Sequence, residues 1–208
     1  MAALFSLAVL VAACGDDDPV GTPSPSASVT QAPGVATTAA PTPEPSRTIT
    51  IIGGGDVMLG RSIADGINQN GLLWPFEQIL EVLGSADIAF VNLESPLTDR
   101  GEPANKDFVF RGPPAGAQGL LGAGIDVVTM ANNHVLDYGL TGLRDTWAHL
   151  TAARVLQTGS GENEAAARSA VVLERNGLRI AFLGYVNTPP DSVSGFVVEE
   201  DVQLPGFP

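Results

Sequence analysis

Three short segments of the chain carry side chains that could bind a metal ion or take part in acid-base chemistry. They are residues 53–56 (Gly-Gly-Gly-Asp), residues 92–94 (Asn-Leu-Glu) and residues 131–134 (Ala-Asn-Asn-His). Carboxylate and amide oxygens together with one imidazole form a ligand set suited to a divalent cation such as Mn, Mg or Zn. The candidate chemistry is therefore that of a divalent-metal site.

The stretches that precede these segments predict the strands of an α/β fold. Residues 48–52 (TITII), 87–91 (DIAFV) and 126–130 (DVVTM) are short and apolar, several of them on both faces, as strands of a covered sheet are. Helical spacing of apolar residues at 75–83 and 140–153 alternates with these strands, which favours the α/β class. Because ligands of open α/β sheets bind beyond the carboxyl ends of the strands, we expect the three segments to share one crevice.

A β-hairpin is predicted towards the end of the domain. Residues 170–174 and 178–183 have strand character, and the Asn176-Gly177 pair between them suits a type I′ turn. A hairpin pairs antiparallel, so the sequence predicts mixed rather than purely parallel β structure.

Each candidate segment also has a purely structural interpretation. A Gly-Gly-Asp sequence is commonly only a turn, and an Asn-His pair after a strand can serve to cap the next helix. The metal-site hypothesis therefore depends on the segments converging in space.

The first 46 residues differ in composition from the rest. Residues 2–13 form an apolar run, and residues 11–14 (VAAC) resemble a bacterial lipobox, which predicts a signal peptide over 1–14 with Cys14 as the lipidated residue. Such a signal normally begins with positive charge, yet no Lys or Arg precedes Arg47, so we interpret Met1 as a start inside a longer signal. The alternative is a buried N-terminal helix with an inert cysteine.

Residues 15–46 are rich in Pro, Ser, Thr and Ala, with no aromatic residue, and predict a disordered linker. A single domain then spans residues 47–208. An acyl chain on Cys14 would anchor the protein to a membrane surface, with the domain working outside the cytoplasm.

The net charge excludes one class of partner. The chain has 23 acidic and ten basic residues, a formal charge of -13. Such a surface repels the phosphate backbone, so we expect no binding of nucleic acid.

Four motifs occur in order along the domain. They are residues 55–61 (GDVMLGR), residues 92–98 (NLESPLT), Lys106 with Phe110-Arg111, and residues 131–139 (ANNHVLDYG). Together they resemble the CapA family of poly-γ-glutamate capsule proteins, which is itself similar to the calcineurin-like metallophosphoesterases. The resemblance implies a mixed β-sheet sandwich flanked by helices and a site for two metal ions.

The same resemblance implies individual roles. Asp56 would bind one metal, Glu94 or Asn92 would take the bridging position, and Asn133 would bind the second metal. His134 would lie beside the scissile group as an acid or as an electrostatic stabiliser.

The sequence departs from the metallophosphoesterase pattern in two ways. Met58 stands where those enzymes carry a histidine ligand, although this agrees with the CapA pattern. The family also continues with His-Trp-Gly and Gly-His-His motifs that do not occur here, so we expect an incomplete, N-terminal part of the fold.

Three basic residues in or near the motifs are candidate ligands for a carboxylate or phosphate: Arg61, Lys106 and Arg111. The alternative is that they are surface charges paired with the abundant acids. We interpret Asp137 as a residue that caps or orients the turn before the next helix, and His149 as structural.

Three functions are compatible with these features. The first is a lipid-anchored component of capsule synthesis that binds an anionic polymer such as poly-γ-glutamate. The second is a metal-dependent hydrolase of a phosphoester or polymer linkage. The third is a solute-binding lipoprotein, which no second lobe or hinge signal favours.

Overall fold

The computed structural model describes residues 47–186, so the predicted signal segment, Cys14 and the predicted linker lie outside the described residues. The strands are β1 (Ile51–Val57), β2 (Ile88–Leu93), β3 (Val127–Thr129), β4 (Leu156–Thr158), β5 (Val171–Arg175) and β6 (Leu178–Phe182). The helices are α1 (Arg61–Asn70), α2 (Leu80–Gly84), α3 (Gly116–Gly122), α4 (Gly139–Ala153) and α5 (Glu164–Ala167), and a 3₁₀ turn covers Trp74–Phe76. None of the helices between residues 47 and 186 is both long and apolar enough to cross a bilayer.

The strands form one parallel sheet and one hairpin. Strands β1, β2, β3 and β4 lie side by side in that order and are parallel throughout, and β5 pairs antiparallel with β6. The turn between β5 and β6 has positive φ at both Asn176 (53°) and Gly177 (72°), as a type I′ turn requires. The predicted α/β class, the hairpin and the mixed strand pairing are confirmed.

Side chains alternate between the two faces of the parallel sheet. The helices cover one face and the hairpin covers the other. On β2, Ala89, Val91 and Leu93 belong to a core shared with the helices. Ile88 and Phe90 face the other way, towards the hairpin, where the rings of Phe90 and Phe182 lie 5.4 Å apart. This double coverage explains why the strand is apolar on both faces.

The predicted helix at 140–153 is confirmed as α4, which buries Leu143 and Leu150 in the core. The predicted helix at 75–83 is present only in part: residues 80–83 are helical, but residues 77–79 interrupt the helix. The chain instead makes the 3₁₀ turn, leaves helical geometry at Ile79 (φ -123°, ψ 3°) and starts α2 at Leu80. The ring of Trp74 packs directly on Gly66 of α1, so tertiary packing fixes this turn against the helical pattern.

Strand β1 extends further than predicted. The sequence suggested an end at residue 52 and a turn over residues 53–56, but β1 continues to Val57. A register shift between Gly53 and Asp56 lets the strand keep its pairing with β2. A β-bulge of this kind bends a strand and re-aims its side chains without ending it.

Candidate functional site

Asp56 and Asn92 lie opposite each other near the carboxyl ends of β1 and β2. The side-chain amide of Asn92 donates a hydrogen bond of 2.8 Å to Oδ1 of Asp56. Asp56 is exposed, whereas Asn92 is buried. The bulge in β1 and the parallel register therefore bring two of the predicted site residues into direct contact.

Asn132, directly after β3, fixes the orientation of Asn92. Its Oδ1 accepts the backbone N–H of His134 at 3.0 Å, and its Nδ2 donates to the backbone oxygen of Leu93 at 2.8 Å. Two backbone partners thus determine which end of the Asn132 amide is nitrogen. The same nitrogen donates to Oδ1 of Asn92 at 3.0 Å, so the Asn92 nitrogen must face Asp56.

This chain of amides gives Asn92 the role of orienting Asp56 in the structure. Asn132, which was not among the residues predicted to form the site, is a central member of this network. The pair of adjacent asparagines in the Ala-Asn-Asn-His motif could have indicated this role. Adjacent side chains point in different directions, so one asparagine can join an internal network while the other lines a cavity.

His134 is buried and held on three sides. Its Nδ1 lies 2.8 Å from Oδ2 of Asp137, and its ring stacks on Phe110 with centroids 4.0 Å apart and an interplanar angle of 22°. Its backbone N–H is bonded to Asn132, as described. The sequence-predicted His134 therefore shares one hydrogen-bonded network with Asp56 and Asn92.

Asp137 has a larger part in the site than a turn cap. Its carboxylate accepts the backbone N–H of Phe110 at 2.6 Å and forms an ion pair with Lys106. Lys106 also donates to the backbone oxygen of Asn133 at 2.8 Å. The side chain of Asp137 is wholly buried and that of Lys106 is 13% exposed, so this pair is internal.

Glu94, which follows β2, is partly buried near Asp56. Burial raises the pKa of the Glu94 carboxyl, and the charge of Asp56 raises it further. Asp137 acts in the same direction, while His134 and Lys106 partly oppose it. Two carboxyl groups thus repel each other at this end of the sheet, an arrangement that a bound cation would relieve.

Two cavities open on either side of this network. One, of about 250 Å³, is lined by Lys106, Asp107, Phe108, Asn133 and His134. The other, of about 220 Å³, is lined largely by backbone and apolar groups of residues that include Gly54, Gly55, Phe90, Leu183 and Tyr185, with Asp56 and Asn92 also in its wall. Asn133 therefore faces the cavity of His134, whereas Asp56 faces the other one.

Two exposed arginines stand on aromatic rings beside the site. The guanidinium of Arg61 lies 4.8 Å from the ring centroid of Phe110, and that of Arg111 lies 4.6 Å from the ring of Tyr138. The segments that carry them pack closely, since a Cβ on Gly60 would lie 2.8 Å from the backbone oxygen of Arg111. The structure thus separates the predicted cationic residues into an internal Lys106 and an exposed Arg61 and Arg111.

Arg61 also has a strained backbone. Its φ is 53°, in the left-handed region that L-residues other than Asn and Asp seldom adopt. It is the first residue of α1, and its side chain lies over Phe108 (5.5 Å) as well as Phe110. Strain retained at an exposed charged residue is a frequent feature of ligand-binding positions.

The oxygen donors at this end of the sheet are of the type that a hard cation binds, but they are fewer than such a cation needs. Within residues 47–186, no three His, Cys, Asp or Glu side chains group together as a metal site. The carboxylates of Asp56 and Glu94 are suitable donors for Mg or Mn, whereas the amide of Asn133, predicted to bind a second metal, lines the other cavity. Any remaining ligands would have to be water or groups outside the described residues.

Comparison with known proteins identifies similar sequences. The family model described as "Bacterial capsule synthesis protein PGA_cap" matches residues 50–203. Among curated proteins, the chain is similar to the capsule biosynthesis protein CapA of Bacillus anthracis, with 31% identity over 144 residues, which is 67% of this chain and 34% of the relative.

Two further relatives also have names that refer to polymer synthesis. The PGA biosynthesis protein CapA of Bacillus subtilis is 26% identical over 159 residues, covering 74% of this chain and 41% of that protein. A protein of Mycobacterium tuberculosis named "probable polyglutamine synthesis accessory protein" is 30% identical over 172 residues, covering 66% and 45%. The chain therefore spans between about a third and a half of the length of these relatives.

Proposed function

The chain belongs to the family of bacterial capsule synthesis proteins, and from this membership we propose that it acts in the synthesis of an anionic cell-surface polymer of the poly-γ-glutamate type. The observation that carries the proposal is the network from Asp56 through Asn92 and Asn132 to His134, which joins the ends of three strands beside two exposed arginines. Family membership supports the proposed pathway, and the network supports the proposed position of the ligand site.

The polymer is held, on this proposal, by Arg61 and Arg111. The chain has a net charge of -13, so its overall field repels a polyanion, and attraction must come from local cations. Both guanidinium groups are exposed and held over aromatic rings, which limits the side-chain entropy lost on binding a carboxylate. Because both charges are exposed and therefore screened by mobile ions, binding should weaken as salt is added.

We further propose a divalent cation, Mg, Mn or Zn, held by Asp56 and Glu94; Asn133, which lines the cavity of His134, is not part of this ligand pair. The mutual repulsion of the two carboxyl groups supports this assignment. When bound, such an ion would supply Lewis-acid activation of a phosphoryl or carbonyl oxygen. This chain's own residues orient the site: Asn92 aims the Asp56 carboxylate.

A second candidate function is hydrolysis of a phosphoester or of a polymer linkage. It is favoured by the position of His134, which is held rigidly in the wall of a cavity of about 250 Å³. In that case His134 would act on the scissile group and the polymer or phosphoester would lie over the cavity of Asn133 and His134.

The proposed location rests on the N-terminal sequence, which lies outside the described residues. We propose that Cys14 carries a lipid and that the Pro/Ser/Thr-rich segment at 15–46 holds the domain away from the membrane, outside the cytoplasm. Metabolic labelling with a palmitate analogue tests it: label should be incorporated by a full-length form and lost on Cys14→Ser.

Direct binding of purified poly-γ-glutamate by the chain tests the main proposal. The polymer should bind saturably at low ionic strength, and the affinity should fall with added salt. The absence of saturable binding at low salt would contradict the proposed role of this region in holding the polymer.

A further inference from the structure

The surroundings of Asp137 determine where the proton of His134 is located. The wholly buried Asp137 carboxylate receives the backbone N–H of Phe110, the ammonium of Lys106 and the Nδ1 atom of His134. The first two partners can only donate hydrogen bonds. Both therefore require Asp137 to accept, and a carboxylate can only accept.

The contact between His134 and Asp137 therefore has one direction. At 2.8 Å, Nδ1 must carry a proton that it donates to Oδ2, since two acceptors would repel at this distance. Lys106 also lies 3.4 Å from Nδ1, but an ammonium cannot accept that proton. Phe110 fixes the plane of the ring by stacking on it, so the ring presents its opposite edge away from Asp137.

We infer that Lys106 and Asp137 are positioning residues, which hold the His134 proton on Nδ1 and present the unprotonated Nε2 to the cavity lined by Asp107, Phe108 and Asn133. The inference rests on the second candidate function, because it names the atom that His134 presents to a ligand in that cavity. With the proton on Nδ1, Nε2 accepts a hydrogen bond or coordinates a cation. It cannot donate a hydrogen bond to a carboxylate.

This arrangement changes the role assigned to Lys106. The sequence suggested a polymer-binding cation, but Lys106 directs its ammonium to Asp137 and to the backbone oxygen of Asn133. The Lys106 ammonium is therefore paired within the protein. The exposed Arg61 and Arg111 remain the cations that face solvent at this site.

Histidine nitrogen NMR tests the inference directly. Long-range ¹H–¹⁵N spectra distinguish protonated from unprotonated ring nitrogens, and the chain has only two histidines, so His149→Gln assigns the signals. The spectrum is recorded about two pH units above the ordinary histidine pKa of about 6.5. We expect His134 to show a protonated Nδ1 and an unprotonated Nε2, the reverse of the tautomer that histidine side chains prefer in water.

Two variants distinguish the effect of Asp137 on the His134 tautomer from a general disturbance of the site. Asp137→Asn should move His134 towards the Nε2–H tautomer, whereas Asp107→Asn, which alters an exposed acid beside the same cavity, should leave the tautomer unchanged. A protonated Nε2 in the unmodified protein would overturn the inference even if Asp137→Asn failed to fold. Because no polymer is present in this experiment, its outcome is independent of whether the proposed polymer binding is correct.

Discussion

The side chains of Asn92 and Asp56 meet across the junction of β1 and β2, with the amide nitrogen of Asn92 2.8 Å from the Asp56 carboxylate. The direction of this hydrogen bond is set by Asn132, which donates to Asn92 and is itself anchored by backbone atoms at both ends of its amide. An exposed acid is thus oriented by a buried chain of amides, which also reaches the backbone of His134.

Removing Asn132 should be costly. Asn132→Ala leaves the Asn92 oxygen, the Leu93 carbonyl and the His134 N–H without their partner in a buried region, and we expect a loss of roughly 2–4 kcal/mol in the free energy of unfolding. Urea unfolding measures it. Asn70→Ala, which removes a bond from an exposed residue to Gly66, is the control and should cost under about 1 kcal/mol. Equal losses in the two variants would contradict the central position of Asn132.

Arg61 should show opposite effects on stability and on binding. Arg61→Gly and Arg61→Ala both remove the guanidinium, but only glycine relieves the positive φ of 53°. We expect the glycine variant to be more stable than the alanine variant by about 1 kcal/mol, while both bind poly-γ-glutamate more weakly than the unmodified chain. Thermal unfolding compares the two. An alanine variant as stable as the glycine variant would show that no strain is held at this position.

Asp145 should make the free energy of unfolding decrease in acid. The hydrogen bond from Arg100 lowers the pKa of Asp145, the Thr98 hydroxyl acts in the same direction, and burial opposes both. A lowered folded-state pKa stabilises the protein above the unfolded value of about 3.9, and this contribution is lost as pH falls through the folded-state pKa.

The matching variant is Asp145→Asn. At neutral pH it should lose about 1–2 kcal/mol of stability, and its difference from the unmodified chain should shrink below about pH 4. Glu162→Gln removes an exposed partner of Arg144 and should change stability by less than about 0.5 kcal/mol. A difference between Asp145→Asn and the unmodified chain that persists unchanged in acid would contradict the assignment.

Asp56 should be required for binding a divalent cation. Asp56→Asn removes one of two carboxylates while keeping the shape of the side chain, so we expect Mn²⁺ affinity to fall at least about tenfold, equivalent to 1.4 kcal/mol. Titration calorimetry on the purified chain measures it. Asp65→Asn, an exposed acid on α1, has the same charge change and should leave the affinity unaltered. Equal affinities in both variants would remove Asp56 from the metal proposal.

Features of the fold that depend on local pattern were predictable. The apolar strands, α4 and the Asn176-Gly177 hairpin follow from side-chain periodicity and turn chemistry, which act within a few residues of the chain. The helix at 75–83 could not be judged in this way, since the packing of Trp74 on Gly66 of another helix decides it. Strand β4 (Leu-Gln-Thr) lacks the apolar run that marks the equally short β3 (Val-Val-Thr).

The sequence predicted one shared crevice for the three segments, whereas Asp56 and Asn92 line one cavity and Asn133 and His134 line another. The three segments near the strand ends do meet, as the parallel topology requires, because Asp56, Asn92 and His134 belong to one network. The role of Asn132 depends on Leu93 and Asn92, which are 39 and 40 residues away along the chain, so a local pattern does not predict it. Asp137 was interpreted as a local cap because its contacts with Phe110 and Lys106 depend on how a distant loop folds back.

Equilibrium binding of fluorescent poly-γ-glutamate to two charge-matched double variants tests the central proposal most directly. Arg61→Met with Arg111→Met removes the two exposed arginines of the site, and Arg144→Met with Arg168→Met removes two arginines paired with Glu162 and Glu164 elsewhere. We predict at least about a tenfold loss of affinity for the first pair and little change for the second, since each lost charged hydrogen bond is worth about 1.5–3 kcal/mol. Equal affinities in the two double variants would contradict the proposed polymer site.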